Sequence, residues 1–387
     1  MTKIERKTMK EIRVLFTGGG SGGHTMPAIS MIQALKKYCL QNNTKCEILY
    51  VGSHNGIEKE IATKNEIDFV SISTGKLRRY FSFKNFSDIF RILKGFFDSL
   101  KIIKKFSPQL IFSTGGFVSV PPVVAGKMKK IPVIIHEQTV DAGLANKIAA
   151  KFATKICLTF PESKKYFPQS KTLITGIPLR DEIFEGNVEV AKKRFNFDFN
   201  QPVILFMGGG LGCHILNEIG LQIIPNLLDK ANIIFQTGKA NDGKDFVEMQ
   251  KLYESLTPDK KNKFALFEFV NEEIGDIYKI TDLAIARSGA GTVNEFLALG
   301  LPSIFIPLAI ATNNEQLKNA MIMQKINAAF IIEENNLTKE SLLKTIDEIL
   351  FTDKIKTMKK NLSNYENVFG KNNLLNLIVD ILNKKII

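Results

Sequence analysis

The chain has 387 residues, 44 % of them hydrophobic and 24 % charged, which supplies core material for two domains and excludes a disordered chain. The formal net charge of +13 fits nucleic acid, an anionic membrane surface, phosphorylated substrates or a plain lysine-rich bias, and by itself chooses none of them. Cys39, Cys46, Cys157 and Cys213 form no C-x-x-C pair and no cluster of metal-ligand spacing, which speaks against a disulfide scaffold or a zinc site and for reduced thiols in a cytosolic protein.

The opening MTKIERKTMKEIR is polar and lacks the apolar core of a signal peptide. No stretch reaches the roughly 18 uninterrupted apolar residues of a membrane span. The longest apolar stretch, 301–311, is broken by Pro302 and Pro307. A soluble protein, or one attached only to a membrane face, is therefore expected. IRVLFT (12–17) reads as a strand, followed by a helix from about Pro27 to Tyr38. CEILYVG (46–52), FVSIS (69–73), QLIFST (109–114), PVIIHE (132–137) and KICLTF (155–160) continue the series. Apolar, β-rich runs alternating with helical patterns predict an α/β fold with parallel sheets covered on both faces. After KTLITGIPLR (171–180) and a charged connector, PVILFMGGG (202–210) opens a second series. NIIFQTG (232–238), KFALFEFV (263–270), LAIAR (283–287) and PSIFIP (302–307) follow in it. Two Rossmann-like domains are expected, 1–178 and 179–366, with a last helix at about 367–387 returning to the first.

Four glycine-rich loops stand at strand ends: TGGGSGGH (17–24), STGGFVSVPP (113–122), MGGGLGCHILN (207–217) and ARSGAGTVNE (286–295). The carboxyl edge of an open α/β sheet is where ligands bind, and a glycine loop opening a helix suits phosphate. Gly18, Gly20 and Gly23 also satisfy G-x-G-x-x-G, but the second strand ends YVGSHNG, without the acid a dinucleotide's ribose would want.

TGGGSGGHTMPA, TGGFVSVPPVVAGK, IPVIIHEQTVDAGLANKIAAKFATK, TGIPLR, GGGLGCHILN, RSGAGTVNEFLALGLPSIFIPL and NEQLKNA occur in this order between residue 13 and about residue 330. Together they resemble the MurG family. The resemblance implies a GT-B glycosyltransferase architecture, two Rossmann-like domains with an interdomain cleft. It also implies inverting transfer of N-acetylglucosamine from UDP-GlcNAc to the C4 hydroxyl of the muramic acid of lipid I, undecaprenyl-pyrophosphoryl-MurNAc-pentapeptide, giving lipid II for peptidoglycan. The place implied is peripheral, on the cytoplasmic face of the cell membrane, with an anionic membrane surface as partner and no nucleic acid. No cofactor and no essential metal are expected; no D-x-D motif lies near a strand end. Three alternatives stay open: a related glycosyltransferase acting on another lipid acceptor, a UDP-GlcNAc 2-epimerase, which shares the architecture, and a non-catalytic nucleotide-binding or scaffold protein.

Carried over onto this sequence, the resemblance gives Ala290, Gly291, Thr292, Val293, Asn294 and Glu295 to the donor's ribose and diphosphate, with Glu295 accepting from the ribose hydroxyls. Val270 falls at the backbone contact to uracil, Arg180 at an arginine that offsets charge on departing UDP, and Gln316 at the residue that reads the sugar hydroxyls. Ser21, Gly22 and Gly23 line the donor sugar and acceptor pyrophosphate, and His24 is the general base or orients the acceptor hydroxyl. His136 and Glu137 fall beside the acceptor, whereas His54 and His214 have no expected role. Three positions depart from the family pattern: Thr139 stands for the asparagine after HEQ, Gly210 for a serine, and His214 for an arginine. Thr139 and Gly210 stay among the expected substrate contacts. In 78–106, Phe90, Leu93 and Phe97 share a helical face flanked by Arg91, Lys94, Lys101, Lys104 and Lys105, which suits a helix on anionic lipid or one packed on a sheet.

Overall fold

The computed structural model describes residues 11–75, 84–365 and 370–384. The chain divides into two compact units, Met1–Leu179 with Val368–Ile387, and Arg180–Asn367.

In the first unit β1 (Ile12–Thr17), β2 (Cys46–Ser53), β3 (Asp68–Ile72), β4 (Leu110–Ser113), β5 (Val133–Glu137), β6 (Lys155–Leu158) and β7 (Thr172–Ile174) form one sheet in the order β3-β2-β1-β4-β5-β6-β7. All its pairings are parallel. Successive strand residues face opposite sides, so Val14 and Phe16 pack with Ala28, Ile32 and Leu35 of α1 (Gly22–Gln41). Leu15 packs on the other side with Ile103 of α3 (Lys84–Phe106) and Val123 of α4 (Val120–Met128). Helices α2 (Ile57–Lys64) and α5 (Leu144–Ala149) complete the connections.

The second unit follows the same logic. After α6 (Val188–Arg194) come β8 (Val203–Met207), α7 (His214–Leu227), β9 (Asn232–Gln236), α8 (Lys244–Ser255) and α9 (Pro258–Lys261). Then follow β10 (Phe264–Phe267), α10 (Ile274–Ile280), β11 (Leu283–Ala286), α11 (Ala290–Leu299), β12 (Ser303–Phe305), α12 (Glu315–Lys325), β13 (Ala329–Ile331), α13 (Lys339–Leu350) and α14 (Lys354–Ser363). The sheet order is β10-β9-β8-β11-β12-β13, again with parallel pairs. Finally α15 (Gly370–Lys384) buries Leu374, Ile378 and Leu382, one face at helical spacing, in the same core as α1 of the first unit. Gly370 N–H donates to Ile177 O at 3.2 Å and Asn373 Nδ2 to Thr175 O at 3.1 Å, which ties that helix to the end of β7.

Three details differ from the sequence reading. Helix α1 begins at Gly22, not near Pro27, so Gly22, Gly23 and His24 form its first turn. Ser21 O accepts from the N–H groups of His24 and Thr25, and the buried stripe that starts at Ala28 draws the helix through glycines of poor propensity. Pro27 lies inside it, with no N–H for the Gly23 carbonyl. KTLITGIPLR, assigned to no element from the sequence, carries a strand: Thr172–Ile174 is the last of the first sheet. The three-residue β13 was not foreseen.

Helix α3 also sorts its own faces. Ile103 is buried with Phe96 and Leu100 packed beside it, and Gly95 lies so close to Ser73 that a Cβ would stand 2.1 Å from its carbonyl oxygen. Phe90, Leu93 and Phe97 lie elsewhere, at 60 %, 50 % and 59 % exposure. Residues 78–83 of the expected interfacial segment lie outside the described residues. Among the described residues no helix is long and apolar enough to cross a membrane.

Candidate active site

Each sheet reverses its strand order at one point, between β1 and β4 in the first unit and between β8 and β11 in the second. Crevices outside such switch points bind ligands in open α/β sheets. All four glycine loops stand there, two per unit, because each follows one of these strands.

In the first unit the two loops are built as one piece. Gly19 N–H donates to Gly115 O at 3.2 Å. Gly116 has a φ of +80°, and a Cβ there would stand 2.1 Å from Gly19 O, so only glycine fits. Behind the loop, the buried Glu58 carboxylate accepts from Ser53 N–H at 2.8 Å and Gly20 N–H at 3.1 Å. Burial pushes its pKa up, but these bonds, with the Ser53 hydroxyl, outweigh it and hold the group below the usual range. The loop is therefore fastened from behind. Ser21 and Gly23 are exposed and Gly22 half-buried at the first turn of α1, where the N–H groups of Gly22 and Gly23 have no intrahelical acceptor.

His24 rises from that turn. Its Nδ1 lies 2.9 Å from Thr114 O and 3.0 Å from Gln138 Oε1. Gln138 and His136 are buried at the end of β5. Burial pushes His136 down to about 4, so it is neutral near pH 7. Glu137 serves the following loop: Oε1 accepts from Thr139 N–H at 3.1 Å, and Oε2 from Gly143 N–H and Asn146 Nδ2, both at 3.0 Å. Thr139 is buried with its hydroxyl 2.9 Å from Glu137 Oε1 and 2.8 Å from Asp141 O, so its side chain closes this loop rather than facing the crevice.

In the second unit the fourth loop opens α11. Ala290, Gly291 and Thr292 form its first turn, and a Cβ at Gly291 would meet nothing within 4 Å. Val293 is fully buried, and the buried Asn294 turns its Nδ2 back to Ala290 O at 2.7 Å. Glu295 is the polar focus. Arg180 Nη2 lies 3.4 Å from its Oε1, and the Tyr278 hydroxyl donates to its Oε2 at 2.7 Å. Burial, then the nearby Glu295 charge, pushes the Tyr278 phenol well above its usual value and keeps it a donor. Gln316 is held beside this loop, since its backbone oxygen accepts from Ser288 Oγ at 2.8 Å and its Oε1 from Leu308 N–H at 3.1 Å.

Besides Tyr278, two residues of this unit escaped the sequence reading. Gln236 accepts from Val270 N–H at 3.0 Å and donates to Gly209 O at 3.3 Å, bridging the expected uracil contact to the third loop. The only signal was its place at a strand's carboxyl end. His214, given no role, sits at the start of α7 with Nδ1 2.9 Å from Asp245 Oδ1, a carboxylate that also accepts from Asn217 Nδ2 at 2.8 Å. Gly210 is exposed, with nothing within 4 Å of an added Cβ. Among the described residues no group of three or more His, Cys, Asp or Glu side chains is placed to hold a metal ion.

Residues 14–158 match the glycosyltransferase family 28 N-terminal domain and 203–373 the family 28 C-terminal domain. A Clostridium perfringens (strain SM101 / Type A) protein named UDP-N-acetylglucosamine--N-acetylmuramyl-(pentapeptide) pyrophosphoryl-undecaprenol N-acetylglucosamine transferase is 41 % identical over 97 % of this chain and 99 % of its own length. The chain belongs to the MurG family of glycosyltransferases. A Clostridium botulinum (strain Langeland) protein of the same name is 42 % identical over 87 % of this chain and 90 % of its own. The crystal structure of Acinetobacter baumannii MurG covers 95 % of this chain and 99 % of its own, at 25 % identity and a TM-score of 0.72. A Neisseria meningitidis UDP-GlcNAc 2-epimerase reaches 0.65 at 14 % identity over 97 % of this chain and 100 % of its own, which is a likeness of fold alone. The two matched family segments contain the two switch points and the four glycine loops.

Proposed function

We propose that this chain transfers N-acetylglucosamine from UDP-GlcNAc to the C4 hydroxyl of lipid I, with inversion, giving lipid II. The observation that carries this reading is membership of the MurG family across 97 % of the chain. The donor is held in the second unit: the ribose on Glu295, uracil at the Val270 backbone, the diphosphate at the first turn of α11, the sugar at Gln316. The acceptor pyrophosphate is held at Ser21, Gly22 and Gly23. His24 takes the acceptor hydroxyl proton as that oxygen bonds to the anomeric carbon, and the bond from that carbon to the diphosphate oxygen breaks. Arg180 and the helix N–H groups offset the charge that collects on UDP, and no metal enters the scheme. The test is UDP release from UDP-GlcNAc, with and without a short-chain lipid I analogue. Acceptor-dependent release with a disaccharide product is expected; binding of UDP-GlcNAc without it overturns the acceptor assignment.

Gly210 gives a sharper check of the donor site. A serine fits there without contact, and it restores the hydroxyl of the family pattern. Gly210→Ser is expected to lower KM for UDP-GlcNAc about tenfold to a hundredfold, the worth of one hydrogen bond to a charged group, with kcat unchanged. An unchanged or raised KM removes the third loop from the diphosphate site.

Membrane attachment belongs to the same reading. The exposed Phe90, Leu93 and Phe97 of α3 carry the exposed Arg91, Lys94, Lys101, Lys104 and Lys105 around them, so this face has both apolar and electrostatic grounds to meet anionic lipid. Co-sedimentation is expected with vesicles containing anionic lipid, about tenfold above neutral vesicles and weakening with salt. Equal binding to both removes the surface.

A further inference from the structure

The hydrogen bonds around His24 form a chain whose direction is fixed at its buried end. Gln138 Nε2 lies 2.9 Å from Thr114 O and 3.0 Å from His136 O. Both neighbours are carbonyl oxygens, acceptors only, so the amide NH2 must face them. The same NH2 lies 3.1 Å from His136 Nδ1, and His136 Nε2 lies 2.9 Å from Gly176 O. Gly176 O is again an acceptor only, so His136 carries its proton on Nε2. Its Nδ1 keeps a lone pair toward Gln138, consistent with the neutrality that burial imposes.

The other end of the carboxamide is then determined. With its NH2 turned to the carbonyls, Gln138 presents Oε1 to His24 Nδ1, which also faces Thr114 O. Two acceptors on one ring nitrogen require a proton there. The lone pair of neutral His24 is thereby placed on Nε2, the nitrogen these bonds leave out. A histidine free to choose would put part of its population in the other tautomer, with Nε2 protonated and unable to accept.

We propose that Gln138, backed by His136, is a positioning residue that holds His24 as the Nδ1–H tautomer so that Nε2 takes the acceptor proton. This rests on the reading of His24 as the base. Gln138 itself is buried at 1 % exposure, so it acts through His24.

The chain has only four histidines, so NMR of protein labelled with 15N on histidine resolves each ring. In the wild type near pH 8, long-range proton–nitrogen spectra are expected to show His24 protonated on Nδ1 and His136 on Nε2. His24 protonated on Nε2 overturns the proposal, whatever the activity. Gln138→Met keeps the length and removes both ends of the amide. It is expected to lower kcat about tenfold, the worth of one catalytic hydrogen bond, with KM for UDP-GlcNAc within twofold and mixed tautomer signals at His24. Wild-type kcat in Gln138→Met, with the His24 tautomer unchanged, overturns the role of Gln138. If His24→Ala stays active while the wild-type spectra are as expected, it is the base assignment that fails and the tautomer assignment that stands.

Discussion

His24→Ala is expected to lower kcat by about 10²–10⁴-fold, the usual worth of a general base, while KM for UDP-GlcNAc stays within a few-fold. The separation follows from where the residue sits. His24 belongs to the first turn of α1 in the first unit and is not among the residues expected to hold the donor. The fold is expected to survive. Thr114 O keeps its bond from Gln138 Nε2, and His24 is half-buried, so water can reach Gln138 Oε1. Circular dichroism and the thermal midpoint should stay near the wild type. The measurement is single-turnover transfer at saturating acceptor, which isolates the chemical step from product release. A rate within tenfold of the wild type removes His24 as the base and leaves it a contact to the acceptor pyrophosphate.

Much of this fold was legible because parallel strands covered on both faces are continuous apolar runs, and such runs are easily seen. IRVLFT is β1 to the residue, and PVILFMGGG and NIIFQTG contain β8 and β9. Elements whose cause lies elsewhere were not legible. The start of α1 at Gly22 depends on Ser21 O and on the core beneath Ala28, neither of which a local glycine pattern announces. β13 is three residues whose strand character comes from pairing with β12.

The candidate site divides in the same way. Glycine loops after strands could be read as ligand loops, but that they pair at the two switch points needed the strand order. Tyr278 lies in α10, the helix before Glu295's, and nothing in IGDIYKI announces that its hydroxyl meets that carboxylate. Likewise H-E-Q carries three different jobs in three consecutive residues, and only their partners separate them: His136 to Gly176, Glu137 to the next loop, Gln138 to His24. The face formed by Phe90, Leu93 and Phe97 was equally compatible with core or lipid on spacing alone. Packing settles half of that question, because the unit's core takes Ile103 with Phe96 and Leu100 instead.

Glu295→Ala is expected to raise KM for UDP-GlcNAc about 10²-fold, since the ribose would lose up to two hydrogen bonds to a charged acceptor at roughly 1.5–3 kcal/mol each. Two groups share this carboxylate: Arg180 on Oε1 and Tyr278 on Oε2. Tyr278 is nearly buried and stands edge-on to Phe296, so its bond fixes the carboxylate from the core side. The Arg180 contact, at 3.4 Å, is long, and its side chain is 31 % exposed, so it can turn toward phosphate when the ribose arrives. Alanine removes all of this at once and leaves the Tyr278 hydroxyl without its acceptor. The raised KM alone therefore does not separate ribose binding from local disorder. A donor with a 2′-deoxyribose does. If Glu295 accepts from the ribose hydroxyl, removing that hydroxyl weakens binding to the wild type but costs the Glu295→Ala variant little, because the interaction is already gone. Equal penalties in both proteins would mean that the ribose is read elsewhere, and that Glu295 serves instead to hold Arg180 in place.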